Sequence, residues 1–282
     1  MKKILLPTDF SENSWNAISY ALQLFKDEVC TFYLLNTYTP IVYHVEYVML
    51  SPSQIGLEDV VKQQALKGLE DFEKRIKKQH DNPNHTIKSQ AVFNTLTLEI
   101  SEQVKEHQID YVVMGTKGAT GAKEVLFGSN TVHIFKQAKC PVLAVPDSFN
   151  FEKPSQILFP TDYEIDYNNQ QVKPLVELSK DNEAKIHILN VSYGRELTAD
   201  QKKNKATLST LFKDLKHEFF SVRNQEITQA ISDFQMKAQT DLLVMINNKH
   251  SFFENLFFKS TINQIGFHLN IPFLVIPAKT KK

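Results

Sequence analysis

Short apolar runs alternate along the chain with longer stretches in which apolar residues recur every three or four positions. Runs 4–6 (ILL), 32–35 (FYLL), 111–114 (YVVM) and 142–145 (VLAV) are nearly continuous, the pattern of strands buried on both faces of a parallel sheet. Run 87–93 (IKSQAVF) is less apolar and alternates, which places it nearer an edge. Between the first two runs, Ala17, Ile18, Ala21, Leu22 and Phe25 fall at helical spacing behind Ser11 and Ser14, either of which can cap a helix. Segments 57–79, 96–105 and 129–138 supply three more helices. The order βαβαβαβαβ argues for an open, mostly parallel five-stranded sheet with helices on both faces.

The pattern occurs twice. Ile4-Leu5-Leu6-Pro7-Thr8-Asp9 returns 153 positions later as Ile157-Leu158-Phe159-Pro160-Thr161-Asp162, and Pro141 has its counterpart in Pro272, 131 positions on. The second copy is therefore 22 residues shorter, the missing stretch lying in its interior. Its strands are expected at 157–159, 186–190, 219–222, 242–246 and 273–276, and its helices at 168–180, 199–216, 226–239 and 261–268. The polar stretch 147–155 (DSFNFEKPS) reads as a linker. That sets the domains at 1–146 and 156–278, with the basic residues 279–282 as a frayed end. Prolines bound the last strand of each copy on both sides, as suits an edge, and exposed edges invite pairing.

A length of 282 residues fits two domains. With 42% hydrophobic and 23% charged residues, the chain has material for packed cores. Lys plus Arg and Asp plus Glu both count 32, so an electrostatically driven role on nucleic acid or a membrane surface is not expected. Two separated cysteines, Cys30 and Cys140, suggest neither a disulfide framework nor a thiolate zinc site. Without a long apolar run or a secretory core at its start, the chain is expected to be soluble and cytoplasmic. The nine histidines include no HExxH, so no metal site is expected.

Chemistry concentrates where the glycines do. Four of the eight, Gly115, Gly118, Gly121 and Gly128, lie within fourteen residues. They join the end of run 111–114 to the helix expected from Ser129, and in open α/β sheets ligands bind at such strand ends. Glycine admits a left-handed backbone and lets N–H groups approach an anion, while the helix start adds free N–H groups and its dipole. Ser129 and Asn130 can each add a side-chain hydrogen bond. Neither GxxxxGK[ST] nor a GxGxxG after the first strand is present, so this is not a Walker or dinucleotide loop.

Gly115-x-x-Gly118, nine residues, then Gly128-Ser129 matches the G-2x-G-9x-G-[S/T] motif of ATP-binding universal stress proteins. Leu6-Pro7-Thr8-Asp9-Phe10-Ser11 is similar to that family's opening, and Lys139-Cys140-Pro141-Val142-Leu143-Ala144-Val145-Pro146 to its ending. The chain thus resembles a tandem universal stress protein, which implies two Rossmann-like domains of the adenine nucleotide alpha hydrolase type. The resemblance implies that Asp9, with Pro7 and Thr8 beside it, lies at the adenine and ribose side. It puts Thr37, after Asn36, at adenine through its backbone, and Met114, Gly115, Gly118, Gly128, Ser129 and Asn130 along the ribose and phosphates. The ligand implied is ATP, with or without magnesium. Asp9 also suits a helix cap, and for Asp162 the cap is the expected role.

The second copy departs at every glycine. Ile246, Lys249 and Lys259 stand at the positions of Gly115, Gly118 and Gly128, and only Ser260 keeps its counterpart. If the glycines are left-handed, each replacement costs about 1–2 kcal/mol, and this half is expected to bind ATP weakly or not at all. Segment 41–50 (IVYHVEYVML) is unusually apolar for a loop; it is expected to cover the nucleotide, face another subunit or pack on its own domain. The partners expected are an adenine nucleotide and the chain's own other half as a pseudo-dimer through the last strands, with a homodimer left open. ATP is expected to act as a bound signal in a stress response and not as the substrate of a fast enzyme. The alternatives are a slow ATPase or phosphotransferase, its water or acceptor placed by Asp9 or Ser129, and a nucleotide-free interaction scaffold.

Overall fold

A computed structural model describes residues 1–39, 54–116, 127–147, 149–192, 196–247 and 270–278, with side chains from 59 onward in the second stretch. In the first half β1 (Lys2–Pro7), α1 (Glu12–Leu24), β2 (Cys30–Tyr38), α2 (Gln54–Gln79), β3 (His85–Phe93), α3 (Leu96–Glu106), β4 (Tyr111–Gly115), α4 (Ser129–Gln137) and β5 (Val142–Val145) follow one another. The second half continues with β6 (Gln156–Pro160), α5 (Asn169–Asn182), β7 (Lys185–Ser192), α6 (Ala199–Leu211), β8 (His217–Arg223), α7 (Ile227–Ala238), β9 (Leu242–Asn247) and β10 (Phe273–Pro277). Segment 41–50, the helix expected at 261–268 and the residues Gly118, Gly121, Lys249, Lys259 and Ser260 lie outside the described residues.

The ten strands among the described residues form one sheet in the order β3-β2-β1-β4-β5-β10-β9-β6-β7-β8. Strands are parallel within each half, and the halves join through an antiparallel ladder in which Leu143 faces Leu274. The proline-bounded strands thus cover each other's edges. The alternating β3 and its twin β8 are left at the two rims. Each face of the sheet carries a core that crosses the joint. Residues such as Ile18, Phe32 and Val113 share one with Leu175 and Ile188, while Val112, Ile134 and Ala144 share the other with Ile231 and Phe273.

Registers in the two halves correspond residue for residue. Ile4 faces Tyr111 as Ile157 faces Leu242, and Gly115 faces Val145 as Ile246 faces Ile276. The turn after the first strand also repeats. Phe10 (φ 63°) and Tyr163 (φ 59°) are left-handed, and their N–H groups donate to Thr8 Oγ1 and Thr161 Oγ1 at 3.0 Å. The ring of Phe10 lies against Gly68 of α2, where a Cβ would come within 2.6 Å of it.

Two imidazoles are expected to make the fold sensitive to acid. His80 bonds Ser19 Oγ at 2.9 Å, and His187 bonds Gln156 Oε1 at 2.7 Å. Burial holds both below the ordinary histidine range, helped by His85 in one case and Lys185 in the other. An unfolded chain takes up these protons near pH 6.5, and the folded one only lower, so their contribution is complete above about pH 6.5 and is lost as pH falls below it. A thermal midpoint level from about pH 8 to 7 and declining toward pH 5 is expected, with a shallower decline in the His80→Gln/His187→Gln double variant.

Candidate functional site

The strand order reverses between β1 and β4, which opens a crevice at the carboxyl ends of the first half's strands. A cavity of about 310 Å³ lies there, lined by Pro7, Thr8, Asp9, Asn36, Thr37, Met114, Gly115, Gly128, Ser129 and Asn130. Every residue assigned from the motif is on this wall except Gly118, which is outside the described residues. Ser14, Leu96 and Thr131 complete the lining. None of the three is assigned to the site from the sequence, where Ser14 is only a candidate cap; the sequence marks a helix start but does not reveal which first-turn side chains turn inward.

One wall is the β1–α1 turn. Thr8 N donates to Leu35 O at 2.8 Å, Asn36 Nδ2 donates to Thr8 O at 2.8 Å, and Thr8 Oγ1 lies 2.9 Å from Ser14 Oγ. The Asn36 amide therefore pins the end of β1, a task Asn190 repeats on Thr161 O at 2.9 Å. Asp9 is exposed, and its Oδ1 accepts from Ser11 N and Ser11 Oγ. The cap of α1 is Ser11, whose Oγ accepts from Ser14 N at 3.2 Å. The carboxylate of Asp9 is thus not used as a cap.

The opposite wall is the start of α4. Thr116 N donates to Val145 O at 3.1 Å, Gly128 N to Thr116 O at 2.7 Å, and Thr131 Oγ1 to Gly115 O at 3.3 Å. Gly128 is the N-cap, and no side chain caps this helix, as is also the case for α3 and α7, whereas Ser11, Asn168 and Thr198 cap α1, α5 and α6. The first-turn N–H groups of α4, with the positive end of its dipole, are left beside the cavity that Ser129, Asn130 and Thr131 line. Left-handed strain does not explain the described glycines. Gly128 has φ −59°, and Gly115 ends a strand without a left-handed φ. Both are ordinary backbone, so replacing either adds no left-handed strain, and at Gly115 the cost is one of space.

The second half carries buried side chains at the corresponding strand ends. Four residues, 8–11, connect β1 to α1, but eight, 161–168, connect β6 to α5. The extra residues bury Ile165 and Tyr167, and the Tyr167 hydroxyl bonds Thr161 Oγ1 in the manner of Ser14 on Thr8. Ile246, buried, stands at the position of Gly115, and Val191 at that of Thr37. The cap expected at Asp162 is a correction. Asn168 caps α5, while Asp162 Oδ1 accepts from Glu164 N at 3.0 Å in a local turn, because the longer connection moves the helix start away from the strand end. Among the described residues, no group of three or more His, Cys, Asp or Glu could hold a metal ion, and no helix is long and apolar enough to cross a membrane.

The model of the universal stress protein family matches twice, over residues 1–146 and 154–277. Over 147 residues the chain is 30% identical to universal stress protein MJ0531 of Methanocaldococcus jannaschii, a match covering 51% of this chain and 81% of that protein. It is 27% identical over 153 residues to universal stress protein MJ0577 of the same organism, covering 51% and 94%. The solved structure of a universal stress protein from Archaeoglobus fulgidus is similar over 98% of this chain and 96% of that one, with a TM-score of 0.67 at 17% identity, a likeness of fold.

Proposed function

This chain belongs to the universal stress protein family, and from that premise we propose that its first domain binds ATP as a signal in a stress response, while its second keeps the fold without a nucleotide site. One observation carries the reading: the uncapped start of α4 opens into the crevice between β1 and β4, behind a glycine motif with the family's spacing. The cavity, about 310 Å³, falls within the range of about 300–1,000 Å³ usual for small-ligand sites. The residues present fit a polyanionic nucleotide: bare backbone and helix N–H groups on one side, Ser129 and Asn130 as hydroxyl and amide, and an exposed carboxylate at Asp9 on the other.

Each group has a task. Thr8 and Asn36 hold the first wall in place through the bonds described, so that Asp9 and the Thr37 backbone face the nucleoside. Gly128, Ser129 and Asn130 hold the phosphates, with or without magnesium alongside. When bound, ATP supplies the negative charge that the helix start lacks, which is the source of affinity. Asp9 Oδ1 is already taken by Ser11, and no other base among the described residues faces the phosphate end, so hydrolysis is proposed to be slow. A cytoplasmic setting belongs to the same proposal and suits two buried cysteines that form no disulfide.

Calorimetric titration of the full chain with ATP is expected to give one site, and at ATP near 100 times Kd a stabilisation of about 2.7 kcal/mol. The absence of both heat and a thermal shift at millimolar ATP would sink the proposal and leave the interaction-scaffold reading. Single-turnover hydrolysis that Ser129→Ala abolishes while binding persists would favour the slow enzyme instead.

A further inference from the structure

A β-carbon on Gly115 would collide with the side-chain amide of Asn13, which would have to shift to admit it. An ideal Cβ would lie 2.7 Å from Cγ and 2.8 Å from Oδ1 of Asn13, and closer still to Nδ2. Since Gly115 has no left-handed φ, conformational freedom is not what glycine supplies here. Asn13 stands half-buried in the first turn of α1, and contacts of its neighbours hold the start of that helix in place. Ser11 caps Ser14, Ser14 Oγ meets Thr8 Oγ1, and Arg75 grips Glu12 with two bonds of 2.6 and 2.8 Å while lying over the ring of Trp15.

Resting on the nucleotide reading above, we infer that Gly115 is bare in order to seat Asn13, and that Asn13 is a positioning residue. Its amide sets how closely α1 approaches the end of β4. That approach fixes the gap between the Thr8–Asp9 wall and the start of α4. The second half is the natural contrast. The caps Ser11 and Asn168 correspond, and the buried positions Trp15, Ile18 and Leu22 of α1 return 157 residues later as Val172, Leu175 and Ser179 of α5. Asn13 then corresponds to Gln170 and Gly115 to Ile246. Both members of the pair have changed where the strand ends carry buried side chains.

A double-mutant cycle tests this, with ATP affinity and thermal midpoint measured for wild type, Gly115→Ala, Asn13→Ala and the double variant. The methyl group is expected to weaken binding about tenfold and lower the midpoint when Asn13 is present, and to cost less than about twofold in binding once Asn13 is alanine. Should Gly115→Ala fail to fold, the comparison of the double variant with Asn13→Ala still decides. An equal cost in both backgrounds would mean that the methyl meets the nucleotide itself, and no cost in either that the contact is slack; each overturns the inference. Wild type is titrated first. If it takes up no ATP, the underlying reading falls and this inference with it, a failure distinct from an absence of coupling.

Discussion

Phe273→Ala is expected to destabilise the whole chain by about 3–5 kcal/mol, the range for removing a fully buried aromatic ring. The ring is 0% exposed although it sits at the start of the last strand. It meets Phe135 edge-on at 5.4 Å and Phe127 at 5.8 Å, and those two rings meet each other at 5.3 Å. Two of the three rings belong to the first domain, on either side of the α4 start, and the third to the second domain. Asn247 Nδ2 adds a bond of 2.7 Å to Phe135 O across the same joint. Because the cores on both faces run through the β5–β10 ladder, the two halves are expected to unfold together. The single tryptophan, Trp15, is buried in the first domain against Phe72 and reports on it alone. In urea, Trp15 fluorescence and far-UV circular dichroism should give coincident transitions, both moved to lower urea by Phe273→Ala. A tryptophan transition left unmoved would show that the domains unfold separately.

Much of this architecture can be read along the chain because strands buried on both faces must be apolar almost throughout. Runs 111–114 and 142–145 fall within one residue of β4 and β5. The flanks are less visible. Lys2, Cys30 and Tyr38 extend their strands through backbone pairing that asks little of a side chain, so β1 and β2 begin and end beyond their apolar centres. The alternating run 87–93 marks a rim because only one face of β3 is well covered. Helix α6 stops at Leu211, short of the expected 216, because Phe212 turns inward as a fully buried residue and the chain bends toward β8.

At the site, the motif locates the wall but not which segment approaches its first glycine. Gly115 is bare where the Asn13 side chain approaches it, and close approach between distant segments leaves no mark in a local pattern. The altered strand ends of the second half were half legible. The repeat of Pro-Thr-Asp fixes an offset of 153, while the buried positions of the following helix recur at 157. That slip of four is the sign of an insertion, and it is visible only once the helix faces are matched.

The inserted residues carry the other large effect expected. Tyr167 is 6% exposed, packs edge-on to Phe159 at 6.4 Å, and holds Thr161 through its hydroxyl. Burial raises its phenol well above the ordinary tyrosine range, so the group stays a neutral partner for Thr161 at any ordinary pH. Tyr167→Ala removes a buried ring and should cost about 3–5 kcal/mol, whereas Tyr167→Phe keeps the ring, loses one hydrogen bond and should cost about 0.5–1.5 kcal/mol. Thr161 Oγ1 still receives Tyr163 N in both variants, which keeps the turn itself intact. Removing the ring does not make a nucleotide site there, because Ile246 still stands where the first domain has Gly115. Urea denaturation should show the large difference between the two variants, and calorimetry on folded Tyr167→Ala should still count one ATP per chain. A second site appearing on removal of this one side chain would mean that Tyr167 alone, and not the loss of the glycine, keeps the nucleotide out.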